Sequence, residues 1–227
     1  MESGCILKAE GVDRVFHTGS QSVQALKGIS LEIAPAQMVV LRGRSGSGKT
    51  TLINILGALD YPTKGQVFFM DQNITEMSER DRDKIRRTEM GFIFQTFALL
   101  PLMSAYENVE FGLRIAGVPA KERKERAEEC LAFVGLHKRM NHRPFELSGG
   151  EQQRVAIARA IAHRPKVILA DEPTAELDSK MGLQVMKLFS DLVEKEGITV
   201  VATSHDPSVI DIADHVYELE DGQIVNS

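Results

Sequence analysis

Gly43-Arg44-Ser45-Gly46-Ser47-Gly48-Lys49-Thr50 matches the pattern G-x-x-x-x-G-K-[ST]. It follows the apolar run Met38-Val39-Val40-Leu41 and opens a helical pattern from Lys49 to Leu59, the strand, loop and helix context that the pattern requires. In that context the glycines let successive backbone N–H groups close around phosphate oxygens, and the helix N-terminus adds partial positive charge. Lys49 then reaches the terminal phosphates, and the Thr50 hydroxyl serves as a magnesium ligand. Residues 43 to 51, ending at Thr51, are the candidate phosphate-binding stretch.

Working outward, Gly91-Phe92-Ile93-Phe94, Val167-Ile168-Leu169-Ala170 and Ile198-Thr199-Val200-Val201-Ala202 are further short apolar runs, as expected for strands buried on both faces of a parallel sheet. A helical pattern from Lys180 to Glu194 repeats Met181, Val185, Leu188 and Leu192 on one face. Strand and helix alternate, so the core is α/β. Two regions depart from the alternation. Residues 5 to 34 carry short extended runs, Ile6 to Ala9 and Leu31 to Ile33, split by a turn at Thr18-Gly19-Ser20; with Gln66-Val67-Phe68-Phe69-Met70 they suggest an N-terminal antiparallel β layer. The stretch from about Thr96 to Arg164 is mostly helical, with a charged run from Lys121 to Glu129 that reads as a solvated helix face ending at Gly135. His215 to Glu220, Asp221-Gly222 and Gln223-Ile224-Val225 form a hairpin pattern with a tight turn.

The 227 residues are 26% charged and 43% hydrophobic, which excludes disordered, collagenous and coiled-coil classes. With 32 acids against 27 bases the net charge is -5, so no global basic field favours nucleic acid. Cys5 and Cys130 lie far apart without zinc or disulfide spacing, and Cys130, within a helical run, reads as a small buried hydrophobe. The start, Met1 to Leu7, lacks the charged and apolar regions of an export signal, and no apolar run approaches the roughly 18 residues of a membrane span. A role at a membrane therefore requires another chain to do the spanning.

A second chemical site follows at Val167-Ile168-Leu169-Ala170-Asp171-Glu172, a buried strand ending in two carboxylates. Asp171 can hold the magnesium shell, and Glu172, one residue on, can polarise an attacking water. Leu147-Ser148-Gly149-Gly150-Glu151-Gln152 then precedes the helical run 153–160. A serine cap and two glycines at a helix start make an anion cradle, and Glu151 completes a capping box with Ser148; the two readings use the same free N–H groups.

With these residues the sequence resembles the ATP-binding cassette ATPases, whose signature is LSGGQ-like and immediately precedes a helix. The resemblance spans essentially the whole chain. It implies a single domain over 1–227: a P-loop NTPase core with a mainly parallel sheet plus the antiparallel layer in 1–95 and 165–227, and an inserted helical subdomain carrying the signature in 96–164. It places Phe16 where the family stacks an aromatic on adenine, although tyrosine is commoner there. Gln95 matches the Q-loop glutamine, which touches metal and attacking water and relays to the membrane partner. Leu177-Asp178-Ser179 matches the D-loop, and His205 in Thr203-Ser204-His205-Asp206 matches the switch histidine that contacts the γ phosphate. The other histidines, His17, His137, His142, His163 and His215, read as structural. Phe94 to Pro101, Glu107-Asn108-Val109, Gly57 to Thr63 and Gly117-Val118-Pro119 are similar to the MacB and LolD type. Arg42 and Arg44 flank Gly43 where small residues are usual, and they read equally as added phosphate-side charge or as surface arginines.

In such ATPases two cassettes meet head to tail, with each ATP between the phosphate loop of one and the signature of the other. The resemblance thus implies a magnesium-dependent ATPase, a homodimer or close heterodimer, docked on separate permease chains at the inner face of the cell membrane. Apolar Leu99, Leu100, Pro101 and Met103 after Gln95 are the expected docking surface. A cassette that moves no substrate, a regulator of the cell-division type, would carry the same motifs and stays open as an alternative. The transported substrate is set by the permease and is not legible here.

Overall fold

The structure is a computed structural model that describes residues 4–19, 21–205 and 207–226. Met1 to Ser3 of the expected signal-free start, Ser20 of the expected first turn and Asp206 of the histidine motif lie outside the described residues. Among the described residues the elements run β1 (Leu7–Thr18), β2 (Gln21–Ile33), β3 (Met38–Arg42), α1 (Lys49–Leu56), β4 (Lys64–Phe69), β5 (Gln72–Asn73), α2 (Glu79–Thr88), β6 (Met90–Ile93), α3 (Ala105–Ile115), α4 (Ala120–Phe133), α5 (Gly149–Ile161), β7 (Val167–Ala170), α6 (Ser179–Glu196), β8 (Thr199–Ser204), α7 (Pro207–Ile210), β9 (His215–Glu220) and β10 (Gln223–Asn226), with 3-10 turns at His137–Arg139 and Pro144–Glu146.

A six-stranded sheet in the order β10-β9-β3-β8-β7-β6 forms the centre. Every pairing from β9 to β6 is parallel, and β10 adds an antiparallel edge. The apolar runs alternate between two cores. Val39, Leu41, Val167, Leu169 and Val201 face the side covered by α1 and the antiparallel layer β2-β1-β4-β5, whereas Met38, Val40, Ile168, Ala170, Val200 and Ala202 face helices α5 and α6. Each such valine, leucine, isoleucine or methionine taken out of water contributes roughly 1.5–3 kcal/mol, which is why strands with no polar face are stable only in this middle position. The helical segment packs onto the second face: Val109 and Leu113 of α3, Ala127 and Leu131 of α4 and Val155 and Ile157 of α5 belong to the same buried cluster as the sheet.

The start of β7 and its length follow the apolar run, but other boundaries move for physical reasons. The antiparallel layer is built from two long strands of 12 and 13 residues in place of short runs. Register shifts between Ala9 and Val15 let β1 bend without breaking, and these irregularities hide the alternation from a sequence pattern. Helix α1 stops at Leu56, not Leu59, because Gly57 caps it and Ala58 turns left-handed at φ 56°. In α6, Val185 and Leu192 are buried as the pattern requires, Met181 and Leu188 are only half-buried, and Met186 and Phe189 complete the buried stripe. The hairpin turn at Asp221-Gly222 has both residues at positive φ, 46° and 82°, as a two-residue turn of this twist demands. Cys130 is buried at 1% exposure, and burial pushes its thiol up to about 11. No described helix is long and apolar enough to cross a membrane.

Candidate functional site

The candidate residues gather at the carboxyl edge of the parallel strands, where open α/β sheets bind ligands. Loop 43–48 leaves β3, Gln95 follows β6, Asp171 and Glu172 follow β7, and His205 follows β8. The loop needs its glycines. Gly48 sits at φ 104°, and a Cβ there would lie 2.7 Å from Ala25 O and 2.8 Å from Leu26 Cδ2 of β2. The hairpin turn after β9 supports the loop from below: Gly222 N–H donates to Ser47 O at 3.1 Å, and Lys27 N–H donates to Gly222 O at 2.8 Å.

Lys49 is buried at 5% exposure and folds back over the loop, its Nζ donating to Gly43 O at 2.8 Å and Arg44 O at 3.1 Å. Its nearest carboxylate oxygen is Glu172 Oε1, 3.9 Å away. A buried ammonium satisfied only by carbonyls, beside a buried Ser47 Oγ that has no hydrogen-bond partner among the described residues, is a cradle suited to an anion. Ser45, Gly46 and the Arg44 side chain are exposed, and Thr51 is half-buried in the first turn of α1. Arg42 is directed sideways, 3.8 Å from Glu218 on the neighbouring β9.

Thr50 Oγ1 lies 3.2 Å from Asp171 Oδ1, so two of the three candidate magnesium ligands converge from separate elements. Hard oxygens of a hydroxyl and a carboxylate suit Mg²⁺, which binds few protein ligands and keeps several waters. Gln95 is exposed, and its Nε2 reaches Glu176 Oε1 at 3.5 Å across the mouth of the site. Glu172 stands at φ 45°, a left-handed conformation that a glutamate seldom adopts without external support. Its N–H donates to Thr203 Oγ1 at 2.7 Å, and the same hydroxyl donates to Asp171 Oδ1 at 2.8 Å. Glu172 Oε1 is 4.0 Å from Nδ1 of the exposed His205. Thr203 is missed by motif reading; the available signal is a hydroxyl at the end of β8, one step beyond the register pair Ala170 and Ala202.

Phe16 is an exposed ring on β1 at 39% exposure. The Arg14 guanidinium lies 4.4 Å from the ring centroid and bonds Asp60 Oδ1 at 2.9 Å, which ties the ring to the loop after α1.

The signature residues lie elsewhere. Ser148 caps α5: its Oγ accepts Glu151 N–H at 3.3 Å, and Glu151 Oε2 accepts Ser148 N–H at 2.9 Å, the reciprocal capping box read from the sequence. These bonds hold the Glu151 carboxyl below the usual glutamate range. Gly150 is buried, since a Cβ there would run into Met181 of α6, and Gly149 packs beside Leu177. Asp178 caps α6, its Oδ1 accepting Met181 N–H at 3.0 Å. Among the described residues no hydrogen bond or ion pair joins 148–151 to 43–51. Within one chain the phosphate loop, the acidic pair and the histidine leave neighbouring strands at one sheet edge, whereas the signature packs beside residues 173–177.

The apolar stretch expected to dock is only partly exposed. Asn108, fully buried, accepts Leu100 N–H at 2.8 Å and donates to the carbonyls of Leu100, Met103 and Ser104. That clamp turns Leu99 toward the core and leaves Leu100 and Met103 half-buried, while Pro101 is exposed and Leu102, not anticipated, is 80% exposed.

The chain matches the family model described as ABC transporter over residues 26–175, and it belongs to that family. It is 46% identical over 221 residues to the macrolide export ATP-binding/permease protein MacB of Wolinella succinogenes, covering 97% of this chain but 34% of MacB, so it spans about a third of that relative's length. It is 43% identical over 220 residues to the lipoprotein-releasing system ATP-binding protein LolD of Hahella chejuensis, covering 97% of this chain and 95% of LolD. Among solved structures it is similar, with a TM-score of 0.90 and 42% identity over 97% of both chains, to the Methanocaldococcus jannaschii cassette MJ0796, captured as a dimer in a post-hydrolysis state bound to ADP and Pi.

Proposed function

We propose that this chain is the ATP-binding and hydrolysing subunit of a membrane transporter of the MacB and LolD type, working as a dimer that closes around two ATP molecules and drives export or extraction through separate permease chains. The observation that carries the reading is the 3.2 Å approach of Thr50 to Asp171 beside the Lys49 cradle, because it brings the candidate phosphate-binding and metal-binding side chains to one sheet edge. The likeness to a cassette bound to ADP and Pi supports ATP as the nucleotide and hydrolysis as the reaction.

In this account loop 43–48 and Lys49 bind the β and γ phosphates and Phe16 stacks on adenine. Thr50, Asp171 and Gln95 would hold Mg²⁺, which when bound neutralises charge on the phosphates. Glu172 takes a proton from the attacking water, and His205 contacts the γ phosphate from the exposed side. Ser148, Gly149, Gly150 and Glu151 serve the nucleotide of a second copy, with Asp178 at the junction. The dimeric neighbour, and the lack among the described residues of any hydrogen bond or ion pair between the signature and loop 43–51, support that division of labour. Residues 96–164 act as the helical subdomain that presents the signature, and the exposed Leu102 meets the permease on the inner face of the membrane.

Lys49→Ala tests the reading. It removes the buried cation, and ATP turnover should fall at least about a hundredfold, the usual loss for a key charge-stabilising donor, while the melting transition stays cooperative. Equal turnover by parent and variant would contradict the site.

A further inference from the structure

Arg159 lies on α5, about three helical turns beyond Ser148. Among the described residues its guanidinium meets no carboxylate. It donates instead to two backbone carbonyls, through Nη1 to Ala98 O at 2.6 Å and through Nη2 to Phe97 O at 3.1 Å. Burial lowers its pKa from the ordinary arginine value, as desolvation without a counter-charge must. A guanidinium held this way is costly unless its planar fork is used, and here both carbonyls belong to one strained turn. Phe97 and Ala98 stand at φ 59° and 48°, consecutive left-handed residues that are not glycine, a conformation in which the Cβ crowds the following carbonyl.

That turn sits between Gln95 and the apolar stretch Leu99 to Met103, and it touches α5 at a second point. A Cβ at Gly149 would be 3.8 Å from Phe97 Cζ, so the ring rests on the first residue of the signature helix. On the far side, a Cβ at Gly112 of α3 would stand 3.1 Å from Arg159 Cγ, so a glycine leaves room for the arginine stem.

We infer that Arg159 is a positioning residue that locks the turn at Phe97-Ala98 to the signature helix, so that any displacement of the Gln95 loop moves Ser148 to Gly150 with it. The inference rests on the proposed function, since it assigns Arg159 to the coupling between the nucleotide and the signature; Arg159 itself touches neither.

The test compares full-length parent, Arg159→Met, Arg159→Lys and Gly112→Ala. Affinity for a fluorescent ATP analogue, kcat, and hydrogen exchange over 95–103 with and without ATP are the readouts. Arg159→Met should keep nucleotide affinity within about twofold and lose about tenfold or more in kcat, the split expected when an interaction matters only after binding. ATP should protect 95–103 from exchange in the parent and not in Arg159→Met, and Arg159→Lys, a point charge without the fork, should restore part of both. If Arg159→Met fails to fold, Gly112→Ala decides: crowding the stem should reproduce the split in smaller measure. Parental kcat and protection in whichever variant folds would overturn the inference. So would affinity and kcat falling together in proportion to the folded fraction, the mark of a purely structural role. A parent chain that neither binds nor hydrolyses ATP would overturn the proposed function first, and the inference with it.

Discussion

Thr203 Oγ1 lies 2.8 Å from Asp171 Oδ1 and accepts the N–H of the next residue, Glu172, at 2.7 Å. One hydroxyl at the end of β8 therefore fixes both acidic residues at the end of β7, and it supplies the support that holds Glu172 at φ 45°. Thr203→Val keeps the shape and removes both bonds. It leaves a part-buried N–H without its partner, so stability should drop by about 1 kcal/mol in chemical denaturation. ATP turnover should fall about tenfold or more, equivalent to roughly 1.4 kcal/mol of barrier, with Thr203→Ser close to the parent. Parental turnover by the valine variant would show that the hydroxyl does not position the acids.

The capping box at the signature makes a pH-dependent prediction. The Glu151 carboxyl is held below its ordinary value, first by the Ser148 N–H, so its folded form favours the ionised state. Stability from this group is fully present above the unfolded value and is lost as pH falls through the folded one. Glu151→Ala should lower stability by about 1 kcal/mol near neutral pH, the usual scale for a cap, and the gap to the parent should close as pH falls below about 4.5. Urea midpoints of both proteins across that range check it; a gap independent of pH would assign the loss to packing alone.

Leu102 projects from a turn that Asn108 clamps from below, so the apolar side chain is held out by structure and is not loosely placed. Leu102→Glu should abolish copurification of the permease that accompanies the parent and remove its stimulation of ATP turnover, with an unchanged melting transition. Full retention of both would remove this surface from the account.

How far the sequence carries depends on where each interaction is written. The middle strands were legible because Val167 to Ala170 and its neighbours are buried on both faces and contain little but apolar residues. Lys49, Thr50, Asp171 and Ser148 stood out because loop chemistry fixes their spacing. Helix α2 was invisible to the same reasoning. In Glu79–Thr88 the apolar pattern is nearly absent, and the most buried residue is Arg82, which donates to Ala58 O and Asp60 O at 2.7 Å and stacks 3.4 Å from the Tyr61 ring centroid. Thr203 and Arg159 were invisible for another reason, because strand register and the packing of distant segments create their partners. Gln153, buried on α5 and donating to Pro173 O at 2.7 Å beside Glu172, belongs with them.

On the proposed function, one chain makes half of each nucleotide site. Glu172→Gln keeps the side-chain shape and removes the basic carboxylate, a change that typically costs roughly 10² to 10⁴ in rate, so ATP should bind and persist. Light scattering of Glu172→Gln with ATP and magnesium should then report twice the monomer mass, and the same protein carrying Ser148→Arg, which fills the space beside the γ phosphate, should remain a monomer. A dimer that persists with Ser148→Arg, or a Glu172→Gln chain that turns over ATP at the parental rate, would contradict the composite site.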